Sequence, residues 1–273
     1  MLIKVEARDR LGALLAFQLD DPSNGFVVKE ILGLDPVKAT LTSSGFASLD
    51  GAEFQSAKRE PRNIIIKLGL EPNYTFDTVR DLRNRLYGFF MPKVEVNLRF
   101  YDSDGLIVDI WGRVESCESP LFVKEPTVDI SIMCFKPDLI DQENVELSDS
   151  TTDDETEFLI QYAGTVETGI IFTLHVDRTI GEFTIYHRPP DGTIRTFDFS
   201  ELLFDTDDVR ISTVQGDKSS ILTRSGVDSY ILRAVSPQSS WIQLMPGPNY
   251  LRVYVEGTAI PFDLEFTPRY GGL

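Results

Sequence analysis

Two histidines are the candidates for the base of a nucleophilic triad, in which a base takes the proton of a serine or cysteine. His175 lies in an alternating, strand-like run, and His187 precedes the segment Arg188-Pro-Pro190. The sequence contains no Gly-x-Ser-x-Gly elbow. Phosphate loops of the Gly-x-x-x-x-Gly-Lys or Gly-x-Gly-x-x-Gly type are missing too. We therefore interpret both histidines as ordinary hydrogen-bonding residues of strands or turns.

Two acidic segments invite interpretation as metal sites. Asp102-Ser-Asp-Gly105 begins like a calcium loop, but Arg113 occupies the twelfth position, where such a loop needs a bidentate glutamate. An Asp-Gly pair between two alternating runs indicates a hairpin turn instead. Residues 138–157 are rich in Asp and Glu and contain no Lys or Arg, but their spacing matches no ligand pattern. Because blocks of like charge usually stay solvated, we interpret this segment as an interdomain linker.

Acidic and aromatic residues are too numerous to identify a glycosidase or a sugar site by themselves. With 43 Asp and Glu residues, a pair of carboxylates that meets in the fold carries no information. Trp111, Trp241 and most phenylalanines occupy inward phases of predicted strands, so core is their default interpretation and a sugar-stacking platform is the alternative. The residues point to no enzyme, and we expect no cofactor and no metal.

Cys117 and Cys134 form neither a disulfide framework nor a four-ligand zinc site. They are equidistant from Glu125-Pro126, so a hairpin turning there would place them opposite one another. The N-terminus lacks the apolar core of a signal peptide, so we expect synthesis in the cytoplasm and reduced thiols.

Size and charge limit the classes of function. A chain of 273 residues is long enough for two domains, each of which can bury its own core. The formal net charge of −17 argues against nucleic-acid binding, which needs clustered Lys and Arg. No apolar run approaches the length needed to cross a bilayer. We expect neither nucleic acid nor membrane as a partner.

Short alternating segments predict a mainly β protein along the whole chain. The C-terminal half shows no helical periodicity for more than a turn, and its many short strands predict a β-sandwich or a barrel. The predicted strands of the first half begin near Phe26, Ala39, Asn63, Pro92, Leu106 and Val128. Those of the second half begin near Phe158, Gly169, Glu182, Ile194, Asp208, Ser219, Tyr230, Trp241, Tyr250 and Ile260.

One helix is predicted in the first half, and it carries the candidate site. Arg80, Arg83 and Arg85 lie off its apolar stripe, where they could pair with acids of a neighbouring subunit. The alternative is a solvated helix face, since surface ion pairs contribute only about 0–1 kcal/mol. The stripe consists of Val79, Leu82 and Leu86, the candidate caps are Thr75 and Asp77, and Gly88 is the predicted stop.

Several segments, in their order and spacing, resemble the distal tail proteins of siphophages. The resemblance covers nearly the whole chain. The segments are 49–54, 59–66 with its Glu-x-Arg-Asn-Ile motif, 78–87, Met91-Pro-Lys93, 112–116, Leu121-Phe122, 130–138, the turn Leu244-Met-Pro-Gly-Pro-Asn249 and the terminal Arg269-Tyr-Gly-Gly-Leu273.

The resemblance implies an architectural role at the tip of a virion tail. Members form a hexameric ring at the end of a long non-contractile tail, with N-terminal domains that make the ring and a galectin-like C-terminal sandwich. Such a ring contacts the tail tube protein, the tape-measure protein and the tail-associated fibre or lysin protein, and in many phages receptor-binding proteins.

On this basis we expect a ring-forming, tube-attaching N-terminal domain over residues 1–137, which is sandwich-like or barrel-like and contains the helix. An acidic linker over 138–157 and a galectin-like sandwich over 158–273 follow it. Two other functions remain open: a carbohydrate-binding module that contacts host glycans, and a glycosidase or esterase.

Overall fold

The computed structural model describes residues 1–21, 24–45, 50–121 and 123–273. They form two compact units, unit 1 (Met1–Gln142 with Tyr270–Leu273) and unit 2 (Glu143–Arg269). Leu49 and Phe122, which belong to two of the motifs quoted above, lie outside the described residues. No helix within the described ranges is long and apolar enough to cross a membrane.

Unit 1 is built on one open, nine-stranded sheet and a single α-helix, α1 (Val79–Phe89). The sheet has the order β2-β1-β7-β8-β9-β6-β3, with β10 paired to β8 and β23 paired to β10. A separate hairpin consists of β4 and β5. The strands are β1 (Leu2–Arg8), β2 (Leu14–Gln18), β3 (Phe26–Leu32), β4 (Ala39–Ser44), β5 (Glu53–Arg59), β6 (Arg62–Leu70), β7 (Glu95–Asp102), β8 (Ile107–Glu118), β9 (Thr127–Cys134), β10 (Leu139–Asp141) and, after unit 2, β23 (Arg269–Tyr270).

The core of unit 1 follows from alternation along its strands. Ile64 and Ile66 of β6 are fully buried and lie opposite Ile132 and Ile130 of β9. Such cross-strand apolar pairs stabilise a sheet and determine its register. At the sheet's two edges, the rings of Phe17 and Phe26 are 5.7 Å apart. The sheet therefore curls until its edge strands approach, although β2 and β3 do not pair within the described residues.

Helix α1 begins later and ends later than the sequence predicted. Its N-cap is Thr78 rather than Thr75 or Asp77, because Thr78 and Asp81 form a reciprocal capping box. The helix continues through Gly88 and ends at Phe89. The predicted apolar stripe is correct, since Leu82 and Leu86 are both fully buried.

The acidic segment 138–157 is structured over much of its length, in contrast to the linker that we expected. It contains β10 and the strand β11 (Val145–Ser150), which pairs with a later strand of unit 2. The acids stay at the surface or find partners, as in the ion pair between Asp138 and Arg59. The acidic composition concealed the short apolar alternation of β11. The boundary between the two units lies at Gln142–Glu143.

The two cysteines are not opposite one another. Cys117 faces Ile130 across the β8–β9 pair, whereas Cys134 pairs with Arg62 of β6. The register of β8 and β9 centres on residues 123–124 and not on Glu125-Pro126, so Cys134 lies four positions beyond the partner of Cys117. Both are free thiols, and burial raises the pKa of Cys117 to about 11 and of Cys134 to about 12.

Unit 2 is a β-sandwich of a six-stranded sheet, with the order β11-β22-β14-β17-β18-β19, and a four-stranded sheet, with the order β12-β21-β15-β16. A contact between Phe172 and Phe183, with ring centroids 6.0 Å apart, joins the two inner faces. The strands and the 3-10 helix are β12 (Phe158–Tyr162), β13 (Thr168–Gly169), β14 (Ile171–His175), β15 (Ile180–Arg188), β16 (Arg195–Leu203), β17 (Asp208–Ser212), β18 (Ser219–Arg224), β19 (Val227–Tyr230), the 3-10 turn Leu232–Ala234, β20 (Gln243–Leu244), β21 (Gly247–Tyr254) and β22 (Pro261–Phe266).

The predicted fold class is confirmed: the chain is mainly β, forms two units, and has one α-helix among the described residues. The predicted Asp102–Gly105 turn joins β7 to β8, with Gly105 at a φ of 89°. A residue with a Cβ adopts that angle only with strain.

Arg62, the first residue of β6, holds unit 1 together at one end of its sheet. Its side chain is 1% exposed. It donates to the carbonyls of Pro137 (2.8 Å), Gly33 (2.6 Å), Asp35 (2.8 Å) and Gly271. Burial lowers the pKa of Arg62, but an arginine stays protonated in proteins. One cation thus anchors two loops and the C-terminal segment to the sheet.

We predict that Arg62→Ala destabilises unit 1 by about 3 kcal/mol or more, because it leaves buried carbonyls without donors. Arg62→Lys should lose most of the same stability, since an ammonium cannot reproduce the fork of a guanidinium. Urea unfolding followed by Trp111 fluorescence in a Trp241→Phe background measures this. Lys67→Ala, at an exposed ion pair on the same strand, is the control. Equal stability of the Arg62→Ala and Lys67→Ala variants would contradict the role assigned to Arg62.

Candidate assembly surfaces

The three arginines of α1 do not share one environment. Arg83 donates to the Ser119 hydroxyl (2.7 Å) and to the Pro120 carbonyl (3.0 Å) of its own chain. Arg85 lies over the ring of Phe26, 5.1 Å from its centroid. Arg80 is exposed. Intrachain contacts thus account for Arg83 and Arg85, and a contact with a neighbouring subunit is left as a proposal mainly for Arg80.

The segment Glu71–Asp77, which we call the aromatic loop, precedes α1 and presents two large side chains to solvent. Tyr74 is 78% exposed and Phe76 is 81% exposed. Asn73 stabilises the loop, because its carbonyl oxygen accepts from the amides of Phe76 and Asp77, both at 2.8 Å. The exposed aromatics therefore sit on a turn with a defined shape.

The hairpin of β4 and β5 lies outside the core of unit 1. All of its strand residues except Arg59 are exposed, including Leu41 (67%) and Phe54 (63%). A two-stranded hairpin is marginally stable by itself in water. Its apolar side chains are therefore candidates for burial against another protein surface.

A cleft of about 470 Å³ in unit 1, which we call the tryptophan cleft, opens beside the middle of β8. The pairing of β8 with β9 ends at Arg113 and its pairing with β10 begins at Asp109, so Trp111 lies between the two. Trp111 is 49% exposed and Phe135, on the loop after β9, is 67% exposed. The interpretation of Trp111 as a core residue is therefore wrong, because its phase on β8 faces outward.

The Leu244–Asn249 motif of unit 2 has a structural explanation in the fully buried Asn249. Its side-chain amide donates to the carbonyls of Met245 (2.7 Å) and Gly247 (3.0 Å), while its oxygen accepts from the amide of Met245 (3.0 Å). Nε2 of His187 lies 3.1 Å from the same oxygen. The side chain of Asn249 thus makes hydrogen bonds that backbone groups would otherwise make at this turn. Burial lowers the pKa of His187, the neighbour of Asn249.

His175 lies between two carboxylates on the outer face of the six-stranded sheet. Its Nδ1 is 2.7 Å from Asp208 and its Nε2 is 2.9 Å from Asp263. Both ring nitrogens must donate to ionised carboxylates in this geometry, which requires the imidazolium form. The hydrogen bond to Asp263, followed by that to Asp208, raises the pKa of His175. Among the described residues, the side-chain partners of the two histidines are Asp208, Asp263 and Asn249, and none of these is a nucleophile of a triad.

Two adjoining cavities of about 480 and 580 Å³ lie on the outer face of the four-stranded sheet and share Glu182 and Thr184. The Thr184 hydroxyl donates to Asp198 at 3.0 Å. Tyr186 and Tyr254 line one end, and the guanidinium of Arg252 already covers the ring of Tyr186 at 4.0 Å. This polar groove combines hydroxyl, carboxylate and aromatic groups.

Sequence reasoning missed the aromatic loop and the tryptophan cleft. Tyr74 and Phe76 alternate with polar residues, which is the pattern of a half-buried strand as well as of an exposed turn. Pro72 and Asn73 were the available signal for a turn. The outward phase of Trp111 depends on strand pairings that no local pattern specifies.

Comparison with known proteins gives a family match in unit 2 and a similar fold over the whole chain. Residues 163–270 match the family model described as "Siphovirus-type tail component, C-terminal domain" of the SPP1 Dit type. The crystal structure of SPP1 Dit, described as a paradigm of the hub adsorption apparatus in phages that infect Gram-positive bacteria, is similar over 97% of this chain and 98% of its own. The TM-score is 0.68 at 17% sequence identity, which establishes a common fold.

Two further structures are of the phage p2 baseplate in its activated conformation, with strontium and with calcium. Their similar chains have TM-scores of 0.49 and 0.47 at 9% identity, over 99% and 100% of both chains. No curated protein sequence matches the chain significantly. Residues 163–270 therefore carry a domain of the siphovirus-type tail component family. The chain as a whole shares the fold of SPP1 Dit.

We predict that the two histidines titrate on opposite sides of the ordinary value of 6.5. His175, with its raised pKa, contributes stability that is complete below 6.5 and is lost as pH rises through its folded-state pKa. His187, with its lowered pKa, contributes stability that is present above 6.5 and is lost as pH falls through its folded-state pKa. NMR titration of the two Hε1 signals, assigned with His175→Gln, tests this order. The reverse order would contradict both assignments.

Proposed function

We propose that this protein is a structural component of the tail tip of a siphophage, where six copies form a ring. In this proposal unit 1 makes the ring and joins it to the tail tube, and the ring also contacts the tape-measure protein, a fibre or lysin protein and receptor-binding proteins. The hub role stated for SPP1 Dit and the common fold support the assignment. The role is architectural and not enzymatic.

The observation that carries the ring is the exposed hairpin of β4 and β5. Its apolar residues have no cover within the described part of unit 1, and a marginal hairpin gains stability when a second chain covers it. A head-to-tail contact of this kind uses different patches on the two partners, and it closes into a ring when its rotation is suitable. Arg80 and its neighbouring arginines remain a weaker proposal for the same interface.

We predict that light scattering of the full-length protein at high concentration gives the mass of six chains. The double variant Leu41→Asp, Phe54→Asp should remain folded by circular dichroism and stay monomeric, because it places charge where apolar contact is needed. Val227→Asp, at a residue of unit 2 that is 65% exposed, is the matched control.

The full chain is the appropriate sample for this measurement. A fragment that ends near residue 137 lacks β10, β23 and the Gly271 carbonyl that Arg62 binds. A wild-type protein that stays monomeric at all concentrations, and that labelling does not find at virion tail tips, would refute the ring.

The second candidate function is glycan binding, which the polar groove of unit 2 favours. Carboxylates and hydroxyls at one wall could bind sugar hydroxyls, while Tyr254, 36% exposed, offers a ring for stacking. We predict that Tyr254→Ala reduces binding to bacterial cell-wall glycans at least tenfold, whereas Tyr230→Ala, on the other sheet, leaves it unchanged. A glycan array on which the full chain binds nothing would eliminate this candidate.

A further inference from the structure

We infer that the aromatic loop of one copy inserts into the tryptophan cleft of the next copy. This inference rests on the proposed ring and adds a second pair of surfaces to its head-to-tail contact, beside the hairpin of β4 and β5. The two surfaces match in apolar character, in charge and in position on unit 1.

The apolar match concerns four side chains that unit 1 leaves in water. Trp111 and Phe135 flank the cleft, and the fully packed Ile110, only 2% exposed, contributes to its lining. Tyr74 and Phe76 project from the aromatic loop, which its Asn73 turn keeps in shape. Aromatic side chains of this kind, set in a well-formed recess, are the usual energetic centres of protein interfaces.

The charge match consists of lysines at the cleft and acids on the aromatic loop, in a molecule that is acidic as a whole. Lys136 lies at the cleft, and Lys93 lies at an adjoining depression that shares Arg10, Glu95 and Arg113 with it. Neither lysine has an ion-pair partner among the described residues. The aromatic loop carries Glu71 and Asp77, which are likewise without an ion-pair partner in the described ranges. In a chain of formal net charge −17, a cleft bordered by unpaired lysines is the place where an acidic loop of another copy is accommodated.

The two surfaces lie at opposite ends of the sheet, so one unit cannot satisfy both by itself. β6 and β9 run side by side from the pair Arg62–Cys134 to the pair Gly69–Thr127. The cleft residue Phe135 directly follows Cys134, whereas the aromatic loop directly follows β6 at Leu70. At about 3.3 Å per residue, the two ends are roughly 23 Å apart. Distinct, complementary patches at opposite ends are what a head-to-tail ring requires.

The first experiment compares Phe76→Ala and Trp111→Ala with Tyr230→Ala in the full-length protein by native mass spectrometry over a concentration series. Tyr230 is 80% exposed and lies in unit 2, so it controls for loss of a surface aromatic. We expect each of the first two variants to need at least tenfold more protein for assembly, with unchanged circular dichroism, and the control to assemble as wild type does. Hexamers that form at the wild-type concentration in both variants overturn the inference.

The second experiment asks whether the two surfaces meet. A short bis-maleimide reagent is applied to the double variant Phe76→Cys, Phe135→Cys, to each single variant, and to the wild type as a measure of background from Cys117 and Cys134. Cross-linked species up to six chains in the double variant, but only background in the others, support the contact.

The failures of the ring and of this contact are distinguishable. A hexamer that gives only background cross-linking and tolerates Phe76→Ala and Trp111→Ala overturns the contact and leaves the ring intact. A wild-type protein that never assembles overturns both.

Discussion

The hydrogen bonds from the buried guanidinium of Arg62 are the interaction on which the arrangement of loops in unit 1 depends. Strand pairing explains how β6 and β9 lie side by side, but it does not explain how the loops beyond their ends are held. Carbonyls that leave water without a donor cost about 1–3 kcal/mol each, and here one side chain supplies donors to four of them. This accounting also explains why arginine stands in the Glu-x-Arg-Asn-Ile motif, since lysine offers no fixed fork of donors.

One of those carbonyls belongs to Gly271, which the chain reaches only after it has completed unit 2. Unit 2 is therefore an insertion into unit 1. The chain leaves unit 1 just after β10 and rejoins it at β23, the strand that pairs with β10. A backbone entering and returning at one place lets an inserted sandwich fold on its own core while the host sheet stays intact. Close approach of backbone makes this return possible: a Cβ at Gly272 would come within 2.8 Å of the Leu34 carbonyl oxygen.

Structural features that follow from a local pattern could be predicted from the sequence. Features that depend on which strands pair could not. Alternation predicted most strands and the mainly β class, and the i, i+3, i+7 stripe predicted the buried face of α1. Charge composition misled at residues 138–157, because the short apolar–polar alternation of the six-residue strand β11 weighs little against a block of acids. The candidate surfaces were even harder to predict. The outward phase of Trp111 and the intrachain partners of Arg83 and Arg85 follow from tertiary contacts, which a single sequence does not reveal.

The balance of charge decides what kind of contact can assemble such a chain. Copies with a formal net charge of −17 repel one another, although salt limits this repulsion to a range of about 8 Å at physiological ionic strength. Exposed ion pairs contribute only about 0–1 kcal/mol each, and several arginines, among them Arg62 and Arg83, already have partners within the chain. Burial of a large apolar side chain contributes roughly 1.5–3 kcal/mol. In the proposed ring, aromatic contacts must therefore supply most of the affinity, and the surplus of acids favours association where an apolar recess meets unpaired lysines.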